Sequence, residues 1–408
     1  MRYPSGRMKL NLVFAALLLA STSSSQTISI DTHADTPTEY MKERFDLGVR
    51  NAKGHFDYPR MKEGGLDSEF FVAYVPSRHA GKGAAAYCLR SMETIREMVD
   101  NYPAWVRFAT STDDIRRIKR EGKRSILIGI EGGHAIEDSL EVLRSFYRLG
   151  ARYMTLTHSN TNNWADSSGD SAPKTHGGLT DFGRQVVLEM NRLGMLVDIS
   201  HVSDDTFSDV IATTRAPVVA THSSARALAM HNRNMTDDML RALAKNRGVI
   251  MVNFNPPFLS TEVAQASKAR EEKLKPVRAE LEKKYGAGTP EYEKADDDLR
   301  GANPIPNVEW TRIVDHIDHI VKVAGIDSVG IGSDYDGITA IPIGMEDVSK
   351  HGKIPQELKR RGYSEAAIRK VMGENFMRVF AEAEKVSRGM RTTPAAVSPV
   401  KASRGTNQ

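Results

Sequence analysis

Cysteine is almost missing from this chain. Cys88 stands alone among 408 residues, so no internal disulfide can form, and stability must come from a buried core or from bound metal. A single cysteine among apolar neighbours reads as inert packing rather than as a nucleophile. Long apolar runs are also scarce. After "LNLVFAALLLA" near the start, no segment reaches the length that crosses a bilayer. No cysteine follows that run, which excludes a lipoprotein signal. An excess of one charge is missing too. The formal net charge is +4, and Arg2, Arg7 and Lys9 account for three of those units, leaving +1 without them. Nothing in that balance argues for a nucleic-acid partner.

What is present begins with those basic residues. They precede the apolar run, and the small polar residues "STSSSQ" follow it. This is the grammar of a signal peptide over 1–25, with an uncleaved anchor as the alternative. The expected mature chain is exported, to a bacterial periplasm or the medium, with no transmembrane segment. The tail 387–408 is polar, lacks a lipid-anchor signal, and is expected to be disordered. Between them lies the expected domain, 26–386, in a chain whose 40% hydrophobic and 26% charged content is that of an ordinary soluble enzyme.

Eight short apolar runs bounded by turn residues recur along that stretch. They are "TISI" (27–30), "FFVAYV" (70–75), "SILIGI" (125–130), "YMTLT" (153–157), "MLVDIS" (195–200), "PVVATH" (217–222), "GVIMVNF" (248–254) and "SVGIGS" (328–333). Their middles are apolar on both faces, as in parallel strands covered by helices. Helical patterns separate most of them. "SLEVLRSFYRLG" places Leu140, Val142, Leu143, Phe146 and Leu149 on one face. "TDFGRQVVLEMNRLG" has a cap at Thr180 and a stop at Gly194, and "TDDMLRALAKNRG" repeats that grammar from Thr236. The expected fold is a (β/α)8 TIM-like barrel, with a doubly wound open sheet as the alternative. A highly charged stretch, 261–305, is expected as a helical insertion between the seventh and eighth strands, lying as a solvated excursion on the surface.

In such a barrel the chemistry sits where strands end. His33 and Asp35 follow the first run, Glu131 the third, His158 the fourth, His201 the fifth, His222 the sixth and Asp334 the eighth. Any one of these alone reads as a hydrogen-bonded residue beside a strand. Four histidines and three carboxylates on one rim need a common reason, and a metal supplies it, since imidazole and carboxylate are what zinc takes when cysteine is absent. The count suits two ions sharing one carboxylate. Glu131 is the expected bridge, because Gly132 and Gly133 leave room around it. His316 and His319 lie at helical spacing and read as packing or surface residues. Trp105 and Trp164 read as packing, His134 as a loop residue, and Asp166 and Asp336 as supports near the site. His176 and His231 carry no assignment.

The segments "DTHADTP", "EGGHAI", "LTHSNTNNWADS", "DISHVSDDTF", "ATHSSARAL", "HNRNMTDDML", "GIGSDYDG" and "GENFMRVF" occur in this order between residues 27 and 384. In order and spacing they resemble the membrane (renal) dipeptidase family of amidohydrolase-like metal-dependent hydrolases. The resemblance implies a dipeptidase with one zinc on His33, Asp35 and Glu131 and a second on Glu131, His201 and His222. A hydroxide bridging the two ions would attack the peptide carbonyl. His158 would steady the oxyanion, Asp334 would act as general base and then acid at the substrate, and Arg233 would clamp the substrate's C-terminal carboxylate. Two departures stand out: "HAD" replaces the commoner "HND", and "NFNPPF" lacks a tyrosine found near there in relatives of the mammalian enzyme. A dipeptide with a D-residue or a β-lactam-like ring is the alternative substrate. A lactonase or a deaminase is a weaker reading, because Arg233 and the motif order favour a carboxylate-bearing dipeptide, and a non-catalytic binding protein is weaker because every rim position is filled. A homodimer is left open.

Overall fold

The computed structural model describes residues 27–169, 175–390, 392 and 395. The signal peptide expected over 1–25, and most of the tail, lie outside them. Nine strands form one sheet: β1 (Ile30–Ala34), β2 (Ser68–Tyr74), β3 (Val106–Phe108), β4 (Arg124–Glu131), β5 (Ala151–Thr155), β6 (Leu196–Asp198), β7 (Val219–Ser223), β8 (Val249–Val252) and β9 (Val329–Ile331). Eight follow the path β1-β2-β4-β5-β6-β7-β8-β9, all parallel. The ring closes at the rim, where the Asp35 amide donates to the Tyr335 carbonyl at 2.8 Å and the Asp334 amide to the His33 carbonyl at 3.0 Å. This is the α/β barrel expected from the eight runs, and the open sheet is excluded. The three-residue β3 was not foreseen; it pairs only with the start of β4, off the barrel path.

Alternation along the strands divides the core. Phe70, Val72, Leu127, Tyr153, Val219 and Met251 pack together with Phe376 and Phe380 of the last helix, Asn375–Met390. Their neighbours Phe71, Ala73, Ile126, Ile128 and Ile130 pack with the surrounding helices. Ala34, the residue of "HAD", belongs to this second set and pairs with Phe71 on one side and Tyr335 on the other. It is a barrel-closing residue. Cys88 is buried, as expected of an inert thiol.

Helix boundaries follow capping chemistry. Thr180 caps Asp181–Leu193 through the Gly183 amide, and Gly194 ends it with φ 82°. Thr236 caps Asp237–Lys245 through the Met239 amide. One expectation fails: Leu149 is exposed, because the helix it belongs to ends at Arg148 and leaves Leu149 beyond the buried face. Between β8 and β9 the chain adds two helices, Thr261–Tyr285 and Pro290–Gly301. The last helix continues to Met390, with the Ser387 hydroxyl donating to the Arg192 carbonyl at 2.8 Å.

Candidate metal centre and active site

All seven ionisable rim residues foreseen from the strand ends meet at the mouth of the barrel. Glu131 is their hub. Its Oε1 lies 3.0 Å from His201 Nε2, 3.3 Å from His222 Nε2, 3.7 Å from His33 Nε2 and 4.0 Å from His158 Nε2. His33 Nε2 also sits 3.4 Å from Asp35 Oδ2 and 3.9 Å from Asp334 Oδ1. His201 and His222 bring their Nε2 atoms to 2.9 Å. Three overlapping triads have ligand atoms close enough to share an ion: His33, Glu131 and His222; Glu131, His158 and His201; His33, Asp35 and Asp334. His201 and Asp334 hold left-handed φ values of 67° and 65°. Such backbone is costly for a residue with a side chain and collects at functional sites.

The hydrogen bonds behind the histidines decide which nitrogen faces inward. The Tyr153 hydroxyl donates to the Thr32 carbonyl at 3.1 Å, so its oxygen can accept from His33 Nδ1 at 3.0 Å. His33 Nε2 then carries the lone pair, and it is buried without a hydrogen-bond partner. A similar relay stands behind His222. Asp198 accepts from the Thr221 hydroxyl at 2.7 Å, leaving that oxygen to accept from His222 Nδ1 at 2.9 Å. Asp198 also takes the Thr155 hydroxyl at 2.6 Å and the Ser200 and Thr221 amides. This is the arrangement that orients metal-ligating imidazoles.

These residues fit a cation. With bonds near 2.0–2.2 Å, donor atoms around one zinc lie roughly 3–3.5 Å apart, and most of the spacings above fall in or near that range. Burial holds His201 and His222 neutral, well below the usual imidazole range. At His33 burial also disfavours charge, but the Glu131 and Asp35 carboxylates overcome it and draw a proton onto the ring. A bound cation would take that proton's place. Burial pushes Asp35 up to about 6 and Asp334 up to about 7. Asp334 is further held by Asn253 Nδ2, which donates at 2.8 Å.

Glu131 stands where it was expected, for a different reason. A Cβ on Gly132 would lie 2.6 Å from His134 Cε1, and one on Gly133 would lie 2.3 Å from the Leu156 carbonyl and 2.6 Å from Trp164. The glycines admit neighbouring groups to the backbone; they do not open space around the carboxylate. Arg233, on the loop after β7, is buried. Its guanidinium donates to the His222 carbonyl at 3.2 Å and the Ser223 hydroxyl at 3.4 Å, and stands over the Phe258 ring.

The lesser residues divide cleanly. His316 is packing: its Nδ1 accepts from the Ala225 amide at 3.1 Å and its Nε2 faces the Leu259 carbonyl at 3.2 Å. His319 pairs with Asp237 at 2.7 Å on the surface side. Trp164 is fully buried. His134 lies buried in a short helical turn. His176 bonds the Asn162 carbonyl at 2.9 Å, and Asp166 holds the backbone amides of Thr175, His176 and Gly178. His231 accepts from the Arg233 amide at 3.1 Å. Asp336 accepts from Thr36 and from the His55 amide, each at 2.7 Å.

A cavity of about 950 Å³ opens above the carboxylates and histidines. Its outer wall corrects the surface reading of 261–305. Arg270, Tyr292, Glu293, Asp296, Asp297 and Arg300 all line it, so the two added helices roof the site. Sequence reading also missed Tyr153, Asp198, Thr221 and Asn253. Asp198 and Thr221 stood in plain view, inside "DISH" and "ATH", the first three residues before His201 and the second directly before His222.

A parallel barrel with imidazoles and carboxylates converging on its C-terminal rim defines a metal-dependent hydrolase. The family model for membrane dipeptidase, peptidase family M19, matches residues 20–394. The chain belongs to that family, and is a metallo-dipeptidase by fold and membership. It is similar to the solved structure of dipeptidase AC, a metallopeptidase of family M19, at 28% identity and a TM-score of 0.71, over 88% of this chain and 99% of that one. It is similar to the probable dipeptidase PvdM from Pseudomonas aeruginosa at 27% identity and a TM-score of 0.74, over 89% and 96%. A metallopeptidase from Rhodobacter sphaeroides, liganded with a phosphinate mimic of the dipeptide L-Ala-D-Ala, matches at 26% identity and a TM-score of 0.71, over 87% and 99%.

Proposed function

We propose that this protein is an exported, zinc-dependent dipeptidase that cleaves dipeptides carrying a free C-terminal carboxylate. The observation that carries the reading is the convergence of three histidine nitrogens within 3.7 Å of Glu131 Oε1. His33, Asp35 and Glu131 would hold one ion, and Glu131, His201 and His222 the other. When bound, such a pair supplies Lewis acidity, ionising water near neutral pH and polarising the scissile carbonyl.

The remaining work falls to the chain itself. Asp334 Oδ1 faces the site while Oδ2 is held by Asn253. A carboxyl lifted by burial to about 7 can take a proton from the attacking water and return it to the leaving amine. His158 lines the cavity, and its Nδ1 lies 3.1 Å from the Ser159 hydroxyl. With that hydroxyl donating, His158 keeps its proton on Nε2, where it can donate to the carbonyl oxygen as it gains charge. Arg233 spends donors on the His222 and Ser223 oxygens, and its remaining N–H groups suit a carboxylate fork. A longer peptide cannot put its free carboxylate there, which accounts for a dipeptide limit. The ligand of the Rhodobacter sphaeroides relative, a mimic of L-Ala-D-Ala, favours including a D-configured second residue. The basic residues and apolar run before residue 21 support export, and no helix among the described residues is long and apolar enough to cross a membrane.

The test is a panel of L,L and L,D dipeptides, with chelation and zinc restoration. Hydrolysis that disappears on chelation and returns with zinc is expected, together with its loss in Glu131→Ala. Dipeptides left intact at every metal loading, or full activity in Glu131→Ala, would refute the reading. Amidation of the substrate carboxylate should raise KM sharply, and an unchanged KM removes Arg233 from its role.

A further inference from the structure

The roof carries more positive charge than its own carboxylates absorb at one point. Arg270, Arg278 and Arg300 share only Glu271 and Asp296. Arg278 binds both acids, reaching Asp296 Oδ1 at 2.5 Å through Nε and Glu271 through Nη1. Arg300 pairs with Asp296, whose two oxygens are thereby occupied. That leaves Arg270 with a long contact, 3.4 Å from Nη2 to Glu271 Oε1, as its ion pair among the described residues. The Nε atoms of Arg270 and Arg300 are buried without an acceptor. Arg270 and Arg300 line the cavity; Arg278 stands behind them. Because Arg270 and Arg300 line the cavity, an anion entering it meets guanidinium groups whose pairing is incomplete. Glu39 and Glu293 are both drawn to Lys42, at 3.0 and 3.6 Å, and Asp297 lines the cavity as an exposed carboxylate.

We propose that Arg270 and Arg300 bind a carboxylate carried on a substrate side chain, so that dipeptides containing aspartate or glutamate are preferred. This rests on the dipeptidase reading above. Arg233 takes the C-terminal carboxylate at the rim, and the roof pair takes the second one at the cavity's outer wall. The planar fork of arginine matches a carboxylate in a way that a lysine would not.

The experiment compares kcat/KM for Ala-Ala, Ala-Glu, Glu-Ala, Ala-Lys and Lys-Ala in the zinc-loaded full chain and in Arg270→Gln, Arg300→Gln and the double variant. The expected result is at least a tenfold advantage, in KM, for one of the acidic dipeptides over Ala-Ala. The double variant should lose that advantage and keep its Ala-Ala rate. Arg270→Lys, which keeps the charge but not the fork, should restore only part of it. Thermal melting of each variant checks that the roof still folds. Cleavage of Ala-Ala with no acidic preference, a preference for Lys-Ala or Ala-Lys, or an acidic preference that survives in the double variant would each overturn the assignment while leaving the dipeptidase reading intact. Failure to cleave any dipeptide would overturn both.

Discussion

At the rim, carboxylates and imidazoles point at one another across the barrel mouth, and His33 Nε2 has no hydrogen-bond partner among the described residues. On the roof the same density of charge is spent locally. Lys283 pairs with Glu280, Lys294 with Asp298 and Arg278 with Glu271, each within one helix, and Arg278 with Asp296 between the two. Burial separates the two regions. Ionisable groups buried without partners are expensive and persist only where something else stabilises them. Paired charges in solvent cost little and contribute little. Unspent polar capacity at a cavity therefore points to a ligand, and Arg270 and Arg300 are the roof residues that resemble the rim in this respect.

The sharpest way to break the comparison is to remove a rim charge without changing its shape. Asp334→Asn keeps the side chain's size but cannot accept a proton from water. We expect kcat to fall roughly 10²–10⁴-fold, the scale of general acid–base catalysis, while zinc content by elemental analysis and the melting temperature stay near those of the parent. Activity within tenfold of the parent would show that Asp334 is not the proton carrier.

The next effect acts one layer beneath the ligands. A Cβ on Gly129 would lie 2.0 Å from Tyr153 Cζ, and Tyr153 is the residue whose hydroxyl holds His33. Gly129→Ala must therefore push the ring aside. Overpacking of this kind costs about 1–3 kcal/mol, and loss of the His33 hydrogen bond should weaken zinc binding roughly tenfold or more. Urea titration and competition with a chelator measure the two effects separately. Parental zinc affinity in this variant would deny Tyr153 its positioning role.

That dependence also explains what could be read from residues alone. The strand ends were legible because the barrel's geometry turns a one-dimensional pattern, an apolar run followed by His, Asp or Glu, into a single rim. The hydrogen-bonding layer was not, because Tyr153 and Asp198 look like any polar residue in a strand until the sheet's register brings them under a ligand. The roof was misread for a different reason. Helices such as Thr261–Tyr285, rich in charge with few buried residues, have the same pattern whether one face meets bulk water or a water-filled cavity. β3 was too short to stand out, and Leu149 obeyed the helical period beyond the point where the helix stopped.

His316 sits where rim and roof join, bonded to Ala225 beyond β7 and to Leu259 just before the added helices. Burial lowers it to about 4, below the 6.5 of an unfolded chain. The neutral ring is the one the fold accepts, so its stabilising contribution is complete above pH 6.5 and is lost progressively as pH falls toward 4. The shift sets a ceiling of about 3 kcal/mol, and on the order of 1–2 kcal/mol is the expected share. His316→Gln should be less stable than the parent at pH 7.5 in urea melts, and should lose less stability between pH 6.5 and 4.5. Equal losses in both proteins would remove His316 as an acid-sensitive joint.

The smallest effect belongs to the roof's tie to the barrel. Lys42, on the helix Thr36–Lys42 that follows β1, meets Glu39 at 3.0 Å and Glu293 of the roof at 3.6 Å. Its side chain is half exposed, so water and salt screen both contacts. Lys42→Met should change global stability by less than about 1 kcal/mol. Hydrogen exchange over Pro290–Gly301 is the more sensitive measurement, because a weak tether affects local opening before it affects unfolding. Faster exchange confined to that helix, with the melting temperature and Ala-Ala turnover unchanged, is the expected outcome. A large fall in global stability would mean that the roof is an integral part of the barrel's core and that its charges are not the dispensable kind.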